Sequence, residues 1–273
     1  MQILSQSRQS DFRFLFAATT GRSGTNQLAH CLEACDGVLA THEDPPVLNG
    51  RWLRLGLQTP IPHSWLIGRF ARQLARSLRD SGRSIRADIS HVFVKWYAPT
   101  LLDALGAEHC CVVHLWRDPR AVIASFLRLG AIPGQPWGTH WMGDPRWRRV
   151  RLRLDPRDEY EAVAWHVLES WLRGRDLRRS HPAARHVDLS FDVLCDPAAF
   201  RHWLAQIGLV AGSGFEQCAT QVQNAKSHRK QAENRRVDEA RIEAAWNEVQ
   251  QLAQERSLLS PEEAQRLLST TPV

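Results

Sequence analysis

The stretch Phe12–Leu28, FRFLFAATTGRSGTNQL, decides the reading of this chain. Phe14-Leu15-Phe16-Ala17-Ala18 is an apolar run of strand length. It breaks into Thr20-Gly21-Arg22-Ser23-Gly24-Thr25-Asn26, after which Leu28, Cys31, Leu32 and Cys35 recur at helical spacing. A strand, a Gly-rich turn and a helix together let backbone N–H groups wrap a phosphate, with the helix N-terminus adding partial positive charge. Gly21 and Gly24 permit backbone conformations that a side chain forbids. The loop differs from the nucleotide-triphosphate loop, which needs G-x-x-x-x-G-K-[ST]. Here the spacing is Gly21-x-x-Gly24, and Arg22 supplies the cation from before the second glycine.

A second strand-to-helix turn follows a hundred residues on. Val112-Val113-His114-Leu115-Trp116 reads as a buried strand and Ala121–Phe126 as a helix, with Arg117-Asp118-Pro119-Arg120 between them. Asp118 suits the N-cap and Pro119 the first helical position. Ser125 lies two turns further, roughly 10 Å along the axis. An arginine at the strand end leans over the same face, so Arg117 and Ser125 are placed to hold one phosphate jointly. A capped helix accounts for Asp118 and Pro119 without function, but it does not account for Arg117 and Ser125 at this spacing.

These two motifs resemble those of the sulfotransferases that use 3'-phosphoadenosine 5'-phosphosulfate (PAPS). Arg22-Ser23-Gly24-Thr25 matches the family's 5'-phosphosulfate loop. Arg117, Pro119 and Ser125 match its 3'-phosphate motif position by position. The resemblance covers roughly residues 12 to 235. It implies an α/β, three-layer P-loop-like fold with a central parallel sheet flanked by helices. It also implies a single sulfotransferase domain over residues 1–273 and transfer of a sulfuryl group from PAPS to an acceptor hydroxyl. In several branches, the tyrosylprotein and bacterial glycolipid enzymes among them, an acidic general base follows the first helix. Glu43, in Thr41-His42-Glu43-Asp44-Pro45, is the matching position, with His42 as its rival. A lysine resembling Lys95 assists transfer in the tyrosylprotein branch. The segment His186–Pro197 resembles the family's strand and Y-E-D-L-x-x-D-P region, with Phe191-Asp192 in place of Tyr-Glu. The donor would be held by Gly21, Arg22, Ser23, Gly24, Thr25 and Asn26 at one end and by Arg117 and Ser125 at the other. Beyond the last core helix, Lys226, Arg229 and Lys230 are either part of a closing segment over the nucleotide or a solvated basic turn. The family's R-x-G-x-x-G form is absent.

The remaining features agree with one α/β domain. Apolar runs predict strands over 13–18, 37–40, 91–95, 111–116 and 185–189. Helical patterns fall near 26–35, 64–80, 99–106, 119–129, 158–178, 197–207, 213–222 and 238–256. This alternation argues for a parallel sheet with helices on both faces. Residues 130–157 lack periodicity and carry Trp137, Trp141 and Trp147, which suits a substrate loop or a clamp onto the body. Arg146, Arg148, Arg149, Arg151 and Arg153 are either a solvated face or a cradle for an acidic acceptor. Residues 237–273 form a helical tail that packs on the body or on a second chain, which leaves a homodimer open. The net charge of +6 favours an anionic partner. Nothing resembles a nucleic-acid module or a membrane span, and no cysteine or histidine spacing marks a metal site. The polar N-terminus and six cysteines without a paired framework suit free thiols in a reducing, cytoplasmic setting. The acceptor is left open among a glycan, a lipid-linked sugar, a peptide tyrosine and a secondary metabolite. Two other classes stay in view. One is a P-loop nucleotide kinase-like enzyme, against which the missing lysine argues. The other is a non-catalytic anion-binding module, which leaves Glu43 without a task.

Overall fold

The computed structural model describes residues 11–43, 45, 47–59, 64–220 and 236–268. Its centre is a five-stranded, wholly parallel sheet in the order β2-β3-β1-β4-β5. The strands are β1 (Phe14–Ala18), β2 (Val38–Thr41), β3 (Ile85–Asp88), β4 (Cys110–Trp116) and β5 (Arg185–Ser190). β1 lies in the middle, with Phe16 opposite Asp88 on one side and Val112 on the other. A strand buried on both faces reads as a continuous apolar run, as β1 and β4 do.

Helices cover both faces. On one, α1 (Thr25–Glu33), α8 (Phe191–Cys195), α9 (Pro197–Gln206) and α10 (Phe215–Thr220) pack with Leu15, Ala17, Val113 and Leu115. On the other, α2 (Arg51–Gln58), α3 (Ser64–Ser81) and α4 (Ala98–Leu105) pack with Phe14, Phe16, Ala18 and Val112. Alternate residues of each strand thus serve opposite layers. A third cluster joins α5 (Pro119–Leu129) and α7 (Glu159–Ser180) to α11 (Glu239–Glu255) and α12 (Pro261–Leu268). The expected three-layer α/β architecture is present. Asp118 caps α5 through Arg120 N at 3.0 Å, with Pro119 in its first turn, as the sequence predicts.

Three expectations are corrected. Residues 91–95 form no strand. The third strand is β3, whose Arg86 and Asp88 are both buried. Phe93–Tyr97 is instead a π-helical turn, anchored by Phe93 stacking on Phe16 with ring centroids 4.9 Å apart. The segment 130–157 contains a short helix, α6 (Pro136–Met142), and buries Trp147. The tail after residue 237 is two helices rather than one. Lys226, Arg229 and Lys230 lie outside the described residues.

Candidate active site

In open parallel sheets ligands bind beyond the carboxyl ends of the strands. Here the five strand ends each deliver a residue to one cleft of about 880 Å³. Arg22 follows β1, His42 and Glu43 follow β2, His91 follows β3, Arg117 follows β4 and Phe191 follows β5.

The first of these, the loop Thr19–Gly24, winds through left-handed backbone at Gly21 (φ 86°), Arg22 (φ 58°) and Gly24 (φ 92°). Successive residues of this kind turn backbone N–H groups toward a common point, ahead of the N-terminus of α1. Gly24 is required twice over. Its φ favours glycine, and a Cβ there would stand 2.8 Å from Leu194 and 3.1 Å from Phe191. The loop is braced from beneath. The Ser23 hydroxyl donates to Gly21 O at 3.2 Å, and His166 Nε2, buried on α7, donates to Thr20 O at 3.1 Å. Burial holds His166 well below its ordinary pKa, so it braces the loop as a neutral ring.

The two arginines and the serine singled out in the sequence meet here. Arg22 Nε donates to Ser125 Oγ at 3.0 Å, and Arg117 Nη1 donates to Arg22 O at 3.0 Å. The Arg117 guanidinium also lies over the Phe191 ring, 4.4 Å from its centroid, so Phe191 serves as a platform where a tyrosine was the expected type. Among the described residues no carboxylate pairs with Arg22 or Arg117. Burial, and then the charge of Arg117, pull Arg22 below its ordinary pKa, which leaves two arginines close together and open to an anion. Ser125 reaches the cluster through Arg22 and is not among the residues that line the cleft.

Across the cleft stands a chain of three ionisable groups. Lys95 Nζ donates to His91 Nδ1 at 2.6 Å and to Trp141 O at 2.9 Å. His91 Nε2 lies 3.0 Å from Glu43 Oε1. The lysine bond to Nδ1 places the ring proton on Nε2, facing the carboxylate. Burial raises the Glu43 carboxyl, and His91, His42 and Lys95 outweigh that effect, so its pKa is lowered. Burial pulls His91 down to about 4 and Lys95 to about 7. His42 shares a 3.0 Å hydrogen bond with Thr25 Oγ1, and burial lowers its pKa too. Glu43 sits at φ 57°; among the described residues only Arg22 and Ser257 share left-handed backbone without being glycine. Two of these three strained positions therefore belong to the cleft.

Gly21, Arg22, Gly24, Thr25, Asn26, His42, Glu43 and Arg117 all line the cleft. Lys95 does not; it stands behind His91. His91 is the residue that sequence reasoning passed over. Its only signal is the four-residue step to Lys95, which is informative in a helical turn and silent in a strand. Trp137 and Trp141 line the cleft, whereas Trp147 packs into the body. The arginine cluster turns elsewhere. Arg146 pairs with Asp144 and Arg151 with Asp176, while Arg149 donates to the carbonyls of Gly56 and Thr59. None of the cluster lines the cleft.

The chain has the fold of sulfotransferase domains. A sulfotransferase domain from the Synechococcus PCC 7002 olefin synthase matches with a TM-score of 0.53 and 16% identity, over 96% of this chain and 100% of that domain. A sulfotransferase domain from the curacin biosynthetic pathway matches with a TM-score of 0.48 and 15% identity, over 96% and 97%. No protein-family model matches the chain, and no curated protein matches it.

Proposed function

We propose that this protein is a sulfotransferase that moves a sulfuryl group from PAPS to an acceptor hydroxyl. The observation that carries the reading is the meeting of Arg22, Arg117 and Ser125 at the Gly-rich loop, with Glu43 across the same cleft. The backbone of Ser23–Asn26 and the Arg22 guanidinium hold the 5'-phosphosulfate. Arg117 reads the 3'-phosphate, with Ser125 fixing the Arg22 side chain between the two ends of the donor. The acceptor oxygen attacks sulfur, and the bond from sulfur to the bridging oxygen breaks. Charge develops on the 5'-phosphate, where Arg22 stabilises it. The acceptor proton passes to Glu43. His91 and Lys95 keep that carboxyl ionised and oriented. Positioning and charge stabilisation then account for most of the catalysis, as in phosphoryl transfer.

Thermal melting tests the donor without knowledge of the acceptor. Adenosine 3',5'-bisphosphate should stabilise the fold by about 2.7 kcal/mol at a hundredfold excess over its dissociation constant. AMP, and ATP with magnesium, should do much less at equal concentration. Arg117→Ala should shrink the preference for the bisphosphate over AMP, since that side chain reads the phosphate that distinguishes them. Superior stabilisation by ATP with magnesium would revive the kinase-like class. Equal, salt-sensitive stabilisation by any polyanion would point to a non-specific basic surface.

A further inference from the structure

The residues that line the cleft fall into two sets, or arms, of different chemistry. One runs from the loop and Gln27 to Phe191, Cys195, Pro197, Ala219 and Thr220. Phe191 lies under Arg117, and Gln27 Nε2 donates to Cys218 O at 2.8 Å, so this arm belongs to the donor. The other arm opens beyond Glu43 and His91. Its wall is Phe126 and Leu129 from α5, Trp137 and Trp141 from α6, and Ala131 between the two helices. Trp141 joins it to the reacting end, with its ring 5.7 Å from that of His91 and its carbonyl bound by Lys95.

Among the described residues that second wall carries no charged side chain. Its polar groups are confined to the inner end, at His42, Glu43 and His91. Of the arginines that follow it in sequence, Arg146 and Arg151 pair with carboxylates, Arg149 binds a carbonyl, and none lines the cleft. Trp137 is 48% exposed and lines the cleft together with the partly buried Trp141. What bears on ligand binding is that two indoles, a phenyl ring and a leucine line one cleft, because small-molecule sites are lined mainly by aromatic and apolar groups.

We propose that the acceptor is an uncharged alcohol or phenol whose hydroxyl is carried on an apolar body, seated against Trp137, Trp141, Phe126 and Leu129. This assignment rests on the donor reading above. An acidic acceptor would lose its hydration against a wall without cations, next to an anionic donor. A sugar lays a C–H face on an indole, but its remaining hydroxyls would meet Phe126, Leu129 and Ala131 and go unpaired. An apolar body meets neither obstacle, and it leaves the hydroxyl as its one polar group, at Glu43. The cleft volume, about 880 Å³, is near the top of the range of about 300–1,000 Å³ that holds one drug-sized ligand, which suits a donor with a small acceptor beside it.

The test uses the full chain saturated with adenosine 3',5'-bisphosphate, to which 2-naphthol, 1-decanol, N-acetylglucosamine or glucuronic acid is added. The naphthol and the decanol should each raise the melting temperature further, and the two sugars should not at equal concentration. Labelled PAPS should give a sulfated product from the apolar alcohols. Trp137→Ala, at an exposed position that the core does not need, should raise the naphthol concentration for half the shift roughly tenfold or more. The shift caused by the bisphosphate alone should stay as it was. A larger response to either sugar, or an unchanged naphthol response in Trp137→Ala, would overturn the assignment. If the bisphosphate shifts melting and no apolar alcohol adds to it, the acceptor assignment alone falls. If the bisphosphate itself has no effect, the donor reading falls with it.

Discussion

Glu43→Gln keeps the volume of the side chain and removes its basicity. Turnover should fall by about 10²–10⁴, while the melting shift caused by adenosine 3',5'-bisphosphate stays nearly constant. Measuring both on one preparation separates chemistry from binding. An active Glu43→Gln enzyme beside an inactive His42→Ala would transfer the role to His42. Lys95 gives a prediction of a different kind. Burial lowers its pKa from 10.5 to about 7, so between those values the unfolded chain binds more protons than the folded one. Stability should therefore rise with pH across this window, and the cost of the buried ammonium should be fully present below pH 7. Cys31, Cys35, Cys110 and Cys111, raised by burial from 9.0 to about 12, oppose this above pH 9, and Tyr97, raised well above 10.0, opposes it at still higher pH. Lys95→Met should flatten the rise in melting temperature between pH 7 and 9. His91 acts at the other end. Its pKa falls from 6.5 to about 4, so stability should drop as pH falls through that interval.

At the scale of elements, the turn from β1 into α1 concentrates the most constraint in the fewest residues. Gly24→Ala would force a side chain into left-handed backbone and against Leu194 and Phe191. A cost of about 1–3 kcal/mol is expected, read as a lower melting temperature. Weaker binding of the bisphosphate should accompany it, since Phe191 carries Arg117. This turn and the one into α5 were legible from sequence because each sits between an apolar strand and a periodic helix. Their glycines, cap and arginines leave a local mark that does not depend on distant contacts. β3 was not legible. It is four residues long and carries Arg86 and Asp88, charges that ordinarily argue against a buried strand. Arg86 is tolerated there because its guanidinium donates to Leu39 O and to the hydroxyls of Ser77 and Thr41, partners supplied by distant residues. The apolar run after it took the strand's place in the reading. Short apolar runs fit a strand and a buried turn equally well, and only the stacking of Phe93 on Phe16 decides between them. His91 was lost for the same reason. Its partnership with Lys95 exists only because that segment coils.

For the whole molecule, the two strand-to-helix motifs were readable because they are local, whereas the apolar side of the cleft was readable only in part. Trp137 and Trp141 stand out in the sequence as candidates for a substrate loop, whereas Phe126 and Leu129 are ordinary there and acquire meaning only when α5 brings them to the same cleft. The net charge of +6 likewise says little about where an anion goes. Arg146 and Arg151 pair with carboxylates and Arg149 binds carbonyls away from the cleft, whereas Arg22 and Arg117 stand together at its loop with no carboxylate partner among the described residues.

The parallel order of the sheet also governs when the cleft comes into being. β1 pairs with β3, which follows it after α1, β2, α2 and α3, and with β4, which follows only after α4 as well, and β5 arrives only after α7. Such long-range pairings form slowly, because loop closure comes before the contacts that repay it. Since every strand end supplies one side of the cleft, no partial version of the site exists on the way. Affinity for the proposed donor is thus expected of the completed chain alone. A nucleotide that binds it draws molecules out of the unfolded pool by mass action, so the cell's supply of donor would act on how much of the protein survives as well as on how fast it works.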